Sequence, residues 1–155
     1  MIFTEHELKK SFLLYREGFS YEEVLKYFRN KQPSLYDNEK MDILIEAVTS
    51  YLKIPLEVFT SKFRGRNVID GRAIYYYLAR TLTKKSLKII GEKVNRDHAT
   101  VLNGFNQLKD LIDVGNSEMV ENLENIKELY FSYIDIRVNK SKNEIDKTLE
   151  NVENV

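Results

Sequence analysis

Apolar residues recur three or four positions apart along most of this chain, which is the period of an α-helix. No stretch of the sequence shows the strict alternation of apolar and polar residues that indicates a half-buried strand. Two N-terminal helices are predicted, over residues 4–16 and from residue 20 onward, each opened by a capping-box pattern. Pro33 and its polar neighbours then predict a linker over residues 30–38. The apolar positions of the two helices are Leu8, Phe12 and Tyr15 in the first and Val24, Leu25 and Phe28 in the second.

The central part of the chain is predicted to hold four helices joined by short connections. The first covers residues 38–52 and ends before Pro55, because a residue that precedes proline avoids helical backbone. A basic loop over residues 61–67 leads into a long helix over residues 70–82. Ser86 caps a short helix, and Asp97 caps the next one after a tight turn. The predicted inward positions are Ile43, Ala47, Val48, Tyr51, Ile74, Tyr77, Leu78, Leu82, Leu87, Ile90, Val94, Val101, Leu102, Phe105, Leu108 and Leu111.

A last helix is predicted from Ser117 to about Val138. Charged residues and asparagines dominate from Asn139 onward, so we expect that tail to be frayed or a solvated helix. The chain then reads as an N-terminal helical extension (1–38), a central domain (39–114) and a C-terminal helix with an acidic tail (115–155). The inward positions of the last helix are Leu123, Ile126, Tyr130, Phe131 and Ile134.

Charge is distributed unevenly along a chain whose formal net charge is zero. Residues 60–109 carry eleven basic and three acidic side chains, whereas residues 110–155 carry five basic and eleven acidic ones. Such a block favours a localised surface for a polyanion, although an ordinary solvated surface would give the same counts. The acidic C-terminal segment is expected to be solvated; the alternatives are that it mimics DNA or that it folds back onto the basic face.

Several functional classes lose support from composition. The sequence contains no cysteine, which excludes disulfides and thiolate zinc sites. His6 and His98 lie far apart, so we expect no metal and no cofactor. Neither a nucleophile–base arrangement nor a phosphate-binding loop is found, and we expect no enzyme. No signal peptide and no apolar stretch of about 20 residues occurs, so we expect a cytoplasmic protein with no membrane partner.

Residues 86–102 combine a short helix, a tight turn and a capped second helix, which is the pattern of a helix-turn-helix. Gly91 stands where the two helices must approach closely. Asp97 can cap the second helix and accept from a cytosine amino group, and His98 can donate to a base or a phosphate. The Ala99 methyl can touch a thymine methyl, and the Thr100 hydroxyl can reach a phosphate. The pattern alone leaves an ordinary corner of an all-helical protein open.

The residues of this segment also carry a family resemblance. Residues 86–91 lead into an Arg96-Asp97-His98-Ala99-Thr100-Val101-Leu102 run, which resembles the signature of the DNA-binding domain of the bacterial replication initiator DnaA. Residues 51–56, 61–66 and 77–83 resemble further parts of that domain in the same order. The resemblance covers about residues 40–112 and implies an all-α helix-turn-helix bundle of the DnaA domain IV or Trp-repressor type, with additional N- and C-terminal helices.

The resemblance also implies roles for individual residues. Arg64 would enter the minor groove, where a narrow A/T-rich groove attracts arginine. Arg80 would reach a phosphate or a base edge at the end of the long helix. The other residues implied to touch DNA are Lys62, Arg66, Arg72 and Thr100 on the backbone, Asp97, His98 and Ala99 on bases, and Lys88 and Arg96 nearby.

This sequence departs from the family pattern at several points. Ala99 stands where most members have threonine or serine, and Phe63 replaces a basic residue. Asp70 and Gly71 occupy positions where a basic residue and proline are common. The turn before Asp97 is one residue shorter than in many members. The preferred DNA sequence is therefore expected to differ from the family's A/T-leaning box.

The resemblance predicts sequence-specific binding of double-stranded DNA, for example at a DnaA-box-like site. The roles left open are accessory origin binding, transcriptional regulation and competition for initiator sites. The alternative is a protein-interaction module that binds a replication protein, with a relic helix-turn-helix. No G-x-x-x-x-G-K-S/T motif is found, so we expect neither ATP binding nor origin melting. The Tyr75-Tyr76-Tyr77 run could stack on single strands, but packing is the favoured interpretation because the three rings point in different directions on a helix.

Overall fold

A computed structural model describes residues 4–29 and 35–153 and confirms an all-α fold, with no strand in those ranges. None of the helices in the described ranges is both long and apolar enough to span a bilayer. The helices are α1 (Glu5–Arg16), α2 (Tyr21–Arg29), α3 (Asp37–Leu52), α4 (Leu56–Phe59), α5 (Arg66–Leu82), α6 (Leu87–Glu92), α7 (His98–Asp113) and α8 (Ser117–Glu153).

The chain divides into two compact units, which differ from the three predicted regions. The larger unit comprises residues 36–134, so the first half of α8 belongs with the helix-turn-helix. The smaller unit combines the described parts of residues 1–35 with those of 135–155. The predicted linker falls mostly on residues 30–34, which lie outside the described residues.

The smaller unit is built around Leu14, Val24, Ile145 and Leu149, all at most 5% exposed. The last two correct the prediction of a frayed or solvated tail, because α8 continues well past Val138 and buries these two side chains. Both predicted capping boxes form at the starts of α1 and α2.

The buried face of α1 differs from the predicted one. Leu8 and Phe12 are 43% and 65% exposed, whereas Ser11 and Leu14 are buried. Ser11 is tolerated inside because its hydroxyl donates to the carbonyl of Glu7 at 2.7 Å. The helical period alone therefore predicted the correct helix but the wrong set of buried side chains.

In the larger unit α5 packs against α3 and α7, and α6 packs against α7. Tyr75 and Tyr76 are buried on α5, and the Tyr75 hydroxyl donates to the carbonyl of Ile90 at 2.8 Å. The favoured interpretation of the tyrosine run as packing is confirmed for these two rings. Leu102 and Phe131, predicted to face inward, are instead 43% and 44% exposed.

The start of α5 also differs from the prediction. The helix begins at Arg66 rather than near residue 70, and Gly65 is its N-cap. Val68 is 4% exposed, so the first turn already has a buried side chain to stabilise it. The connection between α4 and α5 consequently shortens to residues 60–65, which we call the basic loop.

Candidate nucleic-acid interface

Helices α6 and α7 form the predicted helix-turn-helix, and its turn is closed by backbone contacts. The Arg96 amide donates to the Gly91 carbonyl at 2.9 Å, and Asn95 adopts the left-handed region with φ of 57°. A Cβ on Gly91 would meet the carbonyl oxygen of Arg96 and lie 2.8 Å from the Val101 side chain. The predicted close approach at Gly91 is confirmed.

The first turn of α7 presents polar side chains to solvent. Asp97 is its N-cap, and one carboxylate oxygen accepts from the Thr100 amide at 2.8 Å. This hydrogen bond, with one from the Thr100 side chain, lowers the pKa of Asp97 below its ordinary value. His98, Ala99 and Thr100 are all exposed. The turn thus offers an acceptor, an imidazole, a methyl group and a hydroxyl at a helix N-terminus.

The basic loop also exposes the side chains that are candidates for binding DNA. Lys62, Phe63 and Arg64 are exposed, whereas Ser61 is partly buried. The Ser61 hydroxyl donates to the Val58 carbonyl at 2.7 Å and accepts from the Phe63 amide at 3.1 Å. The loop is therefore a folded turn with cations on its outside.

Arg72 does not occupy the solvent-facing position expected for a phosphate contact. Its side chain is 5% exposed, and it donates to the carbonyls of Phe59 (2.9 Å), Phe63 (2.7 Å), Val58 (3.1 Å) and Ser61 (2.8 Å). These bonds use four of the five N–H groups of the guanidinium. Burial, then the positive charge of Arg96, lowers the pKa of Arg72 from its ordinary value. Arg72 thus holds the basic loop from inside, and its contact with the DNA backbone stays a prediction.

A cavity of about 540 Å³ brings the loop and the helix-turn-helix together. Four cationic residues line it, and none of its lining residues is acidic. Unpaired positive charges around a concave surface attract phosphate groups. The predicted site residues in its lining are Lys62, Arg64, Arg72, Arg96 and Thr100.

Sequence reasoning missed three polar residues of this cavity, Tyr76, Asn103 and Gln107. The last two follow Thr100 by three and seven positions, so helical spacing could have placed them on its face. The Tyr76 hydroxyl is buried and has no hydrogen-bond partner within the described residues. Burial raises the pKa of the Tyr76 phenol, and the positive charges of Arg96 and Arg72 oppose the rise.

Six other predicted residues do not line the cavity. Arg66 begins α5 with its Nε 3.9 Å from a carboxylate oxygen of Asp70, and Arg80 donates to the Lys85 carbonyl at 3.2 Å. Lys88 is exposed on α6, and the remaining three are the exposed Asp97, His98 and Ala99 described above. Their contacts with DNA stay predictions. Among the described residues, no group of three or more histidines and carboxylates is arranged to hold a metal ion.

Known proteins are similar to this chain over the same segment. Residues 41–108 match the family described as the bacterial dnaA protein helix-turn-helix. The chromosomal replication initiator protein DnaA of Caldanaerobacter subterraneus subsp. tengcongensis is 35% identical over 91 residues, which are 59% of this chain and 20% of that protein. The protein of the same name from Thermoanaerobacter sp. (strain X514) is 40% identical over 70 residues, 45% of this chain and 16% of its own length. The one from Thermotoga maritima is 33% identical over 81 residues, 52% of this chain and 18% of its own length.

The chain thus spans about a fifth or less of the length of these relatives. The similarity runs from α3 to α7, so it includes the helix-turn-helix and the basic loop, α5 and α7, which line the cavity. Residues 41–108 of this chain are therefore similar to the helix-turn-helix of the bacterial DnaA family, and this match covers less than half of the chain.

Proposed function

We propose that the larger unit binds double-stranded DNA in a sequence-specific way. The basic loop would enter the minor groove through Arg64, and the first turn of α7 would lie in the neighbouring major groove. The observation that carries the proposal is the shared cavity, because Arg64 of the loop and Arg96 and Thr100 of the helix-turn-helix line one concave surface. Two elements that read adjacent grooves must flank one stretch of DNA backbone.

The chemistry of that surface favours a phosphodiester backbone between the two grooves. Lys62, Arg64 and Arg96 supply positive charge, and the Thr100 hydroxyl and the Asn103 and Gln107 amides supply neutral donors. The N-terminus of the 16-residue helix α7 adds its partial positive charge on the same element. Sequence would be read by Asp97, His98 and Ala99, which stand exposed at that end.

The biological role that fits is binding at replication-related sites, for example a site similar to a DnaA box. The relatives are named as chromosomal replication initiators, and the matched segment of this chain carries the Arg96–Thr100 run. Ala99 offers only a methyl group, so its base contact would favour thymine. Accessory origin binding, transcriptional regulation and competition for initiator sites are the three roles that such binding allows.

The test begins with selection of bound duplexes from a random pool, followed by gel shifts of the recovered and a scrambled duplex at one salt concentration. Arg64→Ala and His98→Ala should each weaken binding of the recovered duplex by about 1–3 kcal/mol. The matched controls are Arg16→Ala and His6→Ala, two exposed positions on α1. Equal, weak binding of both duplexes by the unaltered protein would refute sequence-specific readout.

A second function, binding of a replication protein, is supported by exposed aromatic residues in the smaller unit. Phe12 is 65% and Tyr21 62% exposed, and such side chains are frequent anchors of protein interfaces. Phe12→Ser should then abolish co-elution with a full-length DnaA protein and leave duplex binding unchanged. Co-elution that survives both Phe12→Ser and Tyr21→Ser would argue against a binding surface formed by these two aromatic residues.

A further inference from the structure

We propose that Arg72 and Arg96 are positioning residues that lock the basic loop to the turn before α7, so that both groove-reading elements form one preassembled reader. The proposal rests on the proposed function. It assigns to Arg72 an indirect role in DNA binding, because its side chain is 5% exposed and already donates four hydrogen bonds to carbonyls within the protein.

The carbonyl oxygen of Ser61 is the centre of this arrangement. It accepts from Nη2 of Arg72 at 2.8 Å and also from Nη2 of Arg96. Arg72 comes from the middle of α5, whereas Arg96 belongs to the turn between α6 and α7. A single backbone oxygen therefore joins the loop, the long helix and the helix-turn-helix, and charged donors make such bonds stronger than neutral ones.

A second bond links the same two elements. The Asn95 side-chain amide donates to the carbonyl of Thr60 at 3.3 Å. The turn that carries Asn95 and Arg96 is itself fixed, because its backbone closes onto Gly91. The loop is thus held in position relative to α7 by two neighbouring residues of a turn that is closed by its own backbone hydrogen bond.

Such ordering matters for affinity because a six-residue loop without these bonds would have to be ordered when DNA binds. The remaining three bonds of Arg72 tie the end of α4, at Val58 and Phe59, to Phe63 inside the loop. Arg64 follows Phe63 directly, so its direction depends on a backbone that Arg72 anchors. The guanidinium charges of Arg72 and Arg96 repel each other, and a bound phosphate would relieve that repulsion.

The experiment is a double-mutant cycle in the full chain on the selected duplex. Arg72→Lys keeps the charge but cannot donate in four directions. In the unaltered protein Arg64→Ala should weaken binding by about tenfold or more. In the Arg72→Lys background the same change should cost less than about threefold, while His98→Ala keeps its full cost. Arg16→Lys is the matched control and should leave both costs unchanged.

Two outcomes of the cycle would overturn the proposal. Additive losses, with the cost of Arg64→Ala undiminished in the Arg72→Lys background, would show that Arg72 does not act through the basic loop. An equal drop in the costs of Arg64→Ala and His98→Ala would show a general loss of folding.

Asn95→Gly keeps the left-handed turn and the fold while removing the bond to Thr60. It should weaken duplex binding about threefold and, like Arg72→Lys, reduce the cost of Arg64→Ala. No change in either quantity would overturn the coupling of loop and turn.

Trypsin cleavage after Lys62 and Arg64 separates this proposal from the proposed function, because it reports loop order without DNA. We expect at least about fivefold faster cleavage in Arg72→Lys and an intermediate rate in Asn95→Gly, with unchanged rates at sites in the smaller unit. Cleavage as slow as in the unaltered protein would refute the lock even if DNA is bound. Accelerated cleavage in Arg72→Lys without any specific duplex binding by the unaltered protein would refute the proposed function, and with it the preassembled reader. It would still support the conclusion that Arg72 orders the loop.

Discussion

The first turn of α7 and the basic loop both expose groups suited to DNA, yet they are held in different ways. The turn of α7 is supported locally, by its own cap at Asp97 and by the close approach at Gly91. The loop lacks a regular backbone ladder and is held by Arg72 and Arg96, whose side chains come from other elements. A helix presents its side chains through its own backbone, whereas a loop that must point one arginine needs donors from outside.

Among substitutions that test how the two elements are held, Arg72→Ala is expected to have the largest effect on stability. It leaves four carbonyls of the α4 end and the loop without their donor, so we expect a loss of about 3–5 kcal/mol in the free energy of unfolding. Chemical denaturation measures the loss, and amide exchange should rise first in residues 59–64. Arg80→Ala on the exposed end of the same helix is the control and should cost about 0.5 kcal/mol or less. A similar loss for both would contradict the special role of the buried guanidinium.

The next largest effect is expected at Gly91, where the close approach of the backbone holds the first turn of α7 in place. Gly91→Ala places a methyl group against the Arg96 carbonyl, which belongs to backbone and cannot move aside cheaply. We expect a loss of about 1–3 kcal/mol in thermal or denaturant unfolding. Gly65→Ala is the matched control, because the three atoms nearest to its methyl group all belong to the exposed ring of Phe63. Equal stability of the two variants would show that the turn has more room than its packing indicates.

The smallest effect is expected from the Asp97 cap and its dependence on pH. The folded-state pKa of Asp97 is lowered, so its contribution to stability is complete above the ordinary value of 3.8 and disappears as pH falls through the lowered pKa. Asp97→Asn keeps an acceptor for the Thr100 amide and removes the titration. Asp97→Ala should lower the unfolding midpoint at pH 7 by about 2–4 °C.

The measurement is the difference in unfolding midpoint between the unaltered protein and Asp97→Ala, taken from pH 7 to pH 2.5. This difference should shrink as pH falls, whereas the difference between Asp97→Asn and Asp97→Ala should stay constant. A gap that is independent of pH in both comparisons would contradict the charged cap.

Local features of the sequence predicted much of the fold. Asp97 and Ser86 cap their helices as expected, because a side-chain oxygen reaches an amide only three residues away. Gly91 was recognisable because a missing side chain inside a short helix indicates a close approach. The exposed positions of Arg64, His98 and Thr100 follow from the same local geometry.

Non-local contacts account for what the sequence did not predict. Arg72 has the sequence context of a surface cation, and only its bonds to carbonyls nine to fourteen residues away make it an internal support. Ile145 and Leu149 lie in a charged segment, and their burial depends on Leu14 and Val24 more than a hundred residues earlier.

The amino-acid sequence by itself determined the presence of the main helices, the caps at Thr4, Ser20, Ser86 and Asp97, the helix-turn-helix and the basic block, since each depends on residues within one or two turns of one another. Tertiary structure decided which face of each helix is buried, that Arg72 points inward, and that Tyr76, Asn103 and Gln107 share a cavity with the loop. The physical reason is that burial and long-range hydrogen bonds are properties of pairs of segments, and their partners become known only when the chain is folded.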